Sequence, residues 1–270
     1  MESSPLLPVA PTRPAAGYVG GKRNLAKRLV SLIESTPHQA YAEPFVGMGG
    51  IFLRRGRRPG QELINDRSRD IANFFLILRE HYPQFMEVLR FQITTRSEFE
   101  RLSGMDPDRL TDLQRAARFL YLQSLAFGGK VAGRNFGVSY GRQSSFTLGR
   151  LGPMLEEIHE RLDGVVIENL DFDVFIRRYD RPGTLFYLDP PYYGTEGYYG
   201  EELFKRADFE RLAGVLRGIK GRFILSINDV PQIRELFSWA EMSGVDLKYS
   251  ISQGVTSAKE LIITGGSRAS

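Results

Sequence analysis

Apolar residues recur along this chain with two different periods. From Lys22 to Ile33 the positions Leu25, Leu29, Leu32 and Ile33 fall three and four apart, which predicts a helix with one buried stripe. Ala40 to Glu43 predicts a short strand that runs into the turn Phe45-Val46-Gly47-Met48-Gly49-Gly50, and Ile51 to Arg54 a helix after it. Leu63-Ile64 predicts a second strand ending at Asn65-Asp66. Ile71 to Phe91, with Phe74, Phe75, Leu78, Tyr82 and Phe85 on one side, predicts a single amphipathic helical stretch. Val165 to Ile167, Leu185 to Leu188 and Phe223 to Ile227 are short continuous apolar runs, as expected of strands covered on both faces. Leu247 to Ser252 and Leu261 to Thr264 are expected to pair as a terminal hairpin across Gln253-Gly254. Strand and helix alternate, so the expected fold class is α/β around a largely parallel sheet.

Two stretches break the alternation. Residues 94–150 are expected to form a separate, mostly helical lobe, in which Thr111 to Phe127 reads as a helix through Leu113, Ala117, Leu120, Tyr121 and Leu125. Residues 1–16 hold Pro5, Pro8, Pro11 and Pro14 and few large apolar groups, and are expected to be a flexible arm outside the core. The catalytic part would then be residues 17–93 together with 151–270.

Composition narrows the chemistry. The 270 residues, 42% of them hydrophobic, suffice for one full core and a smaller appended lobe. The absence of cysteine excludes disulfides, thiolate catalysis and sulfur-ligated zinc, and agrees with a reducing cytoplasm. His38, His81 and His159 lie far apart and outside every motif, so no metal is expected. No apolar run approaches the ~20 residues of a membrane helix, and the start carries no signal-peptide core, so a soluble protein is expected. A formal charge of +4 permits a nucleic-acid partner without requiring one.

The most specific feature is Asp189-Pro190-Pro191-Tyr192, which leaves the carboxyl end of the apolar run Leu185 to Leu188. Two prolines stiffen the turn and offer no N–H, so a carboxylate, a free carbonyl and a ring are left facing one point. That trio suits a flat base with an exocyclic amine: two oxygens accept from the NH₂ group and the ring covers the base. Alone, the tetrapeptide fits a proline-terminated strand with an exposed Asp and Tyr almost as well. The glycine turn is a place where backbone approaches a ligand, and Asp66, 19 residues after Gly47, is spaced to hold ribose hydroxyls. The turn lacks the last glycine of G-x-G-x-x-G, which favours a nucleoside cofactor without a pyrophosphate.

Taken in order, Tyr18-Val19-Gly20-Gly21-Lys22, Glu43-Pro44-Phe45-Val46-Gly47-Met48-Gly49, Asn65-Asp66 and Asp189-Pro190-Pro191-Tyr192 resemble the motifs of the Dam-type DNA adenine-N6 methyltransferases, from Gly17 to about Gly265. The resemblance implies a Rossmann-like sheet that binds S-adenosylmethionine and an inserted lobe that reads double-stranded DNA. It implies cofactor contacts from Tyr18, Lys22, Glu43, Phe45, Gly47, Asp66 and Asp189. Catalysis would fall to Asp189, Pro190 and Tyr192, acting on a flipped adenine. A DNA-associated cytoplasmic enzyme follows. Cytosine N4 and RNA adenine remain open as alternative acceptors, as does a decayed DNA-binding homologue.

Gly128 to Arg150 contains Lys130, Arg134, Arg142 and Arg150 and no acidic residue, with Phe136, Tyr140 and Phe146 interleaved. Basic groups neutralise phosphates and rings fill the gap left by a displaced base. Lys130, Arg134, Asn135, Tyr140 and Arg142 are therefore the expected DNA contacts, with Arg134 expected at a base edge. Arg54-Arg55-Gly56-Arg57-Arg58 reads as a charged helix end and loop. Tyr193 to Gly200 is equally consistent with a lid over an extruded base and with an irregular surface loop.

Overall fold

The structure, a computed structural model, describes residues 6–18, 22, 24–126, 129, 133–137, 144–194, 203–251 and 254–266, with backbone alone at 247–251 and 254–258. A seven-stranded sheet runs through it in the order β5 (Val166–Glu168), β4 (Gln61–Asn65), β2 (Ala40–Glu43), β6 (Thr184–Leu188), β7 (Arg222–Asn228), β9 (Gly254–Gly266), β8 (Glu241–Ile251). The first five are parallel neighbours, and β9 enters antiparallel between β7 and β8. The expected terminal hairpin is longer than its apolar residues suggested, with Ile251 opposite Gly254.

Strand periodicity divides the core in two. Tyr41, Ile64, Leu185, Tyr187, Ile224 and Ile262 point into one cluster, and their neighbours Ala42, Leu63, Phe186, Leu188, Leu225 and Ile263 into the other. The first face is covered by α1 (Ala26–Ser35), α2 (Arg69–Glu80), α3 (Tyr82–Arg90), α5 (Asp112–Leu125) and α6 (Leu148–Arg161). The second is covered by α7 (Phe172–Tyr179), α8 (Arg206–Arg217) and α9 (Pro231–Leu236). All five residues of β6 are buried, as its central parallel position requires.

Several expectations change. The single helical stretch from Ile71 to Phe91 divides at His81, because Pro83 starts a new helix near its N-terminus but would clash with a continuing one. Ile51 to Arg54 shortens to one 3-10 turn at Phe52–Arg54. Residues 6–16 are not a loose arm. Leu7–Pro8 (β1) pairs with Arg57–Arg58 (β3), Val9 and Thr12 donate backbone bonds to Gly56 and Leu53, and Thr12 and Ala15 are buried. Within 94–150, α4 (Arg96–Gly104) and the Thr111/Gln114-capped α5 share one apolar cluster with α2 and the sheet face, through Phe99, Leu102, Phe119 and Leu120.

Candidate active site

Strand order reverses between β2 and β6: β4 and β5 extend the sheet on one side and β7 on the other. The carboxyl ends of the strands at such a reversal leave a crevice. Here it is a cavity of about 670 Å³, lined by Tyr18, Lys22, Glu43, Phe45, Gly47, Asp66, Asp189 and Pro191 among others. Every cofactor residue expected from the sequence therefore meets at one place.

Asp66 leaves β4 half-buried, and its oxygens accept backbone N–H groups from Gly47 at 3.0 Å and Ser68 at 2.9 Å. A carboxylate offers about four acceptor sites, so two stay available to hydroxyl donors. Burial pushes its pKa up to about 6 against the pull of those two bonds. Gly47 holds φ at +50°, and a Cβ there would meet the Tyr18 ring at 3.1 Å, so a glycine lets the aromatic wall close on the turn. Asn65 fixes this corner by donating to the carbonyls of Pro44 and Leu170. Phe45 packs 5.5 Å from Phe172 and 5.7 Å from Phe204, which gives the cavity an apolar floor.

The corner at Asp189 is a compact charge cluster. The buried Lys22 ammonium lies 3.1 Å from Asp189 Oδ1 and 3.0 Å from Glu260 Oε2, and donates to the Tyr192 hydroxyl at 2.7 Å. That hydroxyl in turn donates to Glu260 Oε1, while Lys22 also sits 4.1 Å from the Tyr192 ring centroid. Asp189 keeps 21% of its side-chain surface open, so its carboxylate remains reachable from the cavity. Burial pushes its pKa up to about 6; the Lys22 charge and hydrogen bond pull it down, and Glu260 adds to the rise. Pro190 and Pro191 are buried beneath it. Glu43 accepts from Tyr41 at 2.7 Å and is pushed up to about 8, chiefly by burial, so it is largely protonated at neutral pH.

Beneath this corner lies a group of ion pairs that the sequence did not disclose. Arg55, fully buried, lies 3.6 Å from the Tyr41 ring centroid and pairs with Glu62, which Arg161 grips at 2.7 and 2.8 Å. The expected solvated basic loop is thus half structural: Arg55 turns inward because Glu62 on β4 gives its charge a partner. Sequence reading also missed Glu260, the partner of Lys22, and the cavity-lining residues Phe172, Phe204 and Arg13 to Gly17. Glu260 sits in β9 with no motif around it, and only its place at the head of the apolar run Leu261-Ile262-Ile263 could have flagged it.

The expected DNA contacts divide. Lys130, Tyr140, Arg142 and the segment Thr195 to Gly200 lie outside the described residues. Asn135 is exposed. Arg134 does not reach outward: its guanidinium donates to Gln123 Oε1 at 3.2 Å, lies 5.8 Å from the Phe119 ring centroid, and burial lowers its pKa. Phe146 is buried edge-on to Tyr121 at 4.9 Å and Phe136 packs on Phe99, so these two rings serve the core rather than a displaced base. Arg150, at the start of α6, lies instead on the cavity wall. Among the described residues there is no group of three acidic or histidine side chains placed to hold a metal, and no helix long and apolar enough to cross a membrane.

A family profile described as D12 class N6 adenine-specific DNA methyltransferase matches residues 18–251. The type II methyltransferase M.CviBI of Paramecium bursaria Chlorella virus NC1A is 22% identical over 241 residues, covering 88% of this chain and 91% of its own length. Looser likenesses, which carry no argument, extend to two solved structures. A precorrin 8w decarboxylase of Methanobacterium thermoautotrophicum shows 12% identity, TM-score 0.38 and coverage of 90% and 89% of the two chains. A proposed RNA methyltransferase of Pyrococcus horikoshii shows 9% identity, TM-score 0.39 and coverage of 94% and 91%.

Proposed function

The chain belongs to the D12 class N6 adenine-specific DNA methyltransferases, and from that premise we propose that its cavity binds S-adenosylmethionine and that its Asp189 corner receives an adenine flipped out of double-stranded DNA. The cavity's volume falls within the roughly 300–1,000 Å³ of small-molecule sites. Its lining matches the parts of that cofactor: spare acceptor sites on Asp66 for ribose hydroxyls, the Phe45, Phe172 and Phe204 rings for an adenine face, and a cluster of net negative charge beside the reacting position. When bound, S-adenosylmethionine supplies a methyl group on a positively charged sulfur.

The residues of this chain then have separable tasks. An exocyclic amine is a weak nucleophile because its lone pair is shared with the ring. Asp189 Oδ2 and the Pro190 carbonyl accept its two N–H groups, which leaves the lone pair free to point at the methyl carbon. With S-adenosylmethionine bound to supply the methyl group and take back the sulfur's bonding electrons, Asp189, its pKa raised to about 6, would receive the proton that the methylated nitrogen gives up. Lys22 holds Oδ1 and fixes the carboxylate plane, and Glu260 holds Lys22 and the Tyr192 hydroxyl at once. Tyr192 is thereby anchored as a ring against which the base can stack. No covalent protein intermediate is required, so positioning and electrostatics carry the rate.

The single observation that supports this most is the meeting of Lys22, Asp189, Tyr192 and Glu260 beside Asp66 and Gly47 in one cavity. The test is methyl transfer from labelled S-adenosylmethionine to duplex DNA and, in parallel, to RNA. Label recovered from the duplex as N6-methyladenine is the expected result. Label in RNA alone would overturn the DNA assignment.

A further inference from the structure

Gln123 is a polar side chain at 1% exposure in the last turn of α5, with no role in the corner described above. Its amide is nearly saturated. Nε2 donates to the Gly17 carbonyl and to the Gly129 carbonyl, each at 2.8 Å, and Oε1 accepts from the Arg134 guanidinium at 3.2 Å. With two carbonyls on one side and a cation on the other, the opposite amide orientation would set acceptor against acceptor, so the partners fix it.

The three partners belong to different parts of the molecule. Gly17 precedes Tyr18, whose ring closes on the Gly47 turn of the cofactor cavity. Gly129 and Arg134 open the basic segment that follows α5. The approach of the two backbones is close: a Cβ on Gly129, where φ is +69°, would meet Gly17 and Tyr18 backbone atoms at 3.0 Å. Arg134 is held half-buried with no hydrogen-bond partner for its Nε, so its only described polar anchor is Gln123.

We propose that Gln123 is a positioning residue that couples the cofactor wall at Gly17-Tyr18 to Gly129 and Arg134 in the basic segment after α5, so that each ligand tightens the other. The inference rests on the DNA-methyltransferase reading above. A ligand that fixes Tyr18 against Gly47 also fixes Gly17, and through one amide it fixes Gly129 and the start of the basic segment. The second ligand then meets a surface whose ordering cost has already been met. Linkage makes the effect reciprocal, so DNA must raise cofactor affinity by the factor by which cofactor raises DNA affinity.

The experiment measures S-adenosylhomocysteine affinity with and without a duplex carrying the mapped methylation site, in wild type, Gln123→Leu and Arg134→Gln. The duplex should tighten wild-type binding by about fivefold or more. Gln123→Leu should reduce that factor to below about twofold, and Arg134→Gln, which leaves both Nε2 bonds in place, should reduce it less. A purely structural glutamine would weaken both affinities and leave their ratio unchanged. If Gln123→Leu fails to melt cooperatively, Arg134→Gln carries the test alone. A wild-type factor of one, or an undiminished factor in the folded variants, overturns the proposal. Absence of any DNA methylation by wild type would instead sink the functional reading on which it rests.

Discussion

The cavity corner and the lobe that follows α5 are built on opposite principles. Around Asp189, three ionised side chains and a tyrosine share bonds of 2.7 to 3.1 Å at the end of a fully buried strand, with a further layer of ion pairs beneath. Around Arg134, a lone guanidinium leans on a neutral amide and a ring, next to backbone that turns through positive φ at Gly129 and Gly133. The first region is held in one geometry by bonds between its own side chains. In the second, Arg134 holds its charge against the core rather than displaying it.

The contrast is broken most directly at Asp189. Asp189→Ala should lower turnover by about a hundred- to ten-thousand-fold while cofactor binding and the melting transition persist. Single-turnover rates beside calorimetry check this, and a near-normal rate would remove Asp189 from the chemistry. Asp66→Ala should act on the other half of the corner, weakening S-adenosylhomocysteine by about 1.5–3 kcal/mol, or roughly 10- to 150-fold, with DNA affinity changed little. Unchanged cofactor affinity in a folded Asp66→Ala would refute its role.

The pH profile sharpens the comparison further. Asp189 accepts protons only when ionised, and its pKa is raised to about 6, so activity should climb as pH rises through about 6. Because Glu260 helps raise that pKa, Glu260→Gln should move the acid limb to lower pH, whereas Lys22→Met should move it higher. An acid limb that ignores both substitutions would separate Asp189 from these neighbours. The smallest expected effect belongs to the basic segment. Lys130→Ala or Arg142→Ala should reduce the slope of log DNA affinity against log salt by roughly 1 each, if each side chain neutralises one phosphate. Salt titrations with no change in slope would place the phosphate contacts elsewhere.

The meeting of the corner residues was legible in the sequence because their motifs tie residue type to backbone place: a carboxylate at a strand end, a glycine turn where backbone can approach a ligand, two prolines that free a carbonyl. The alternation of strands and helices was legible for a similar reason, since both faces of β6 demand apolar residues. What stayed hidden were residues whose type is ordinary and whose partner is distant in sequence. Glu260 meets Lys22 across 238 positions, and Arg161 meets Glu62 across 99. The proline-rich start looked loose by composition, yet Val9 and Thr12 still had N–H groups to give to Gly56 and Leu53. Phe136 and Phe146 were misread because an aromatic ring beside arginines satisfies a core and a base equally well.

The most direct test of the central claim, that the Asp189-Pro190-Pro191-Tyr192 corner methylates an exocyclic amine of adenine in DNA, is to express this chain in a host lacking DNA methylation and sequence its DNA for modified bases. N6-methyladenine at one recurring sequence, absent when Asp189→Ala is expressed instead, is the expected result. N4-methylcytosine alone, or a DNA sample without modified bases from cells holding folded wild-type protein, would contradict it.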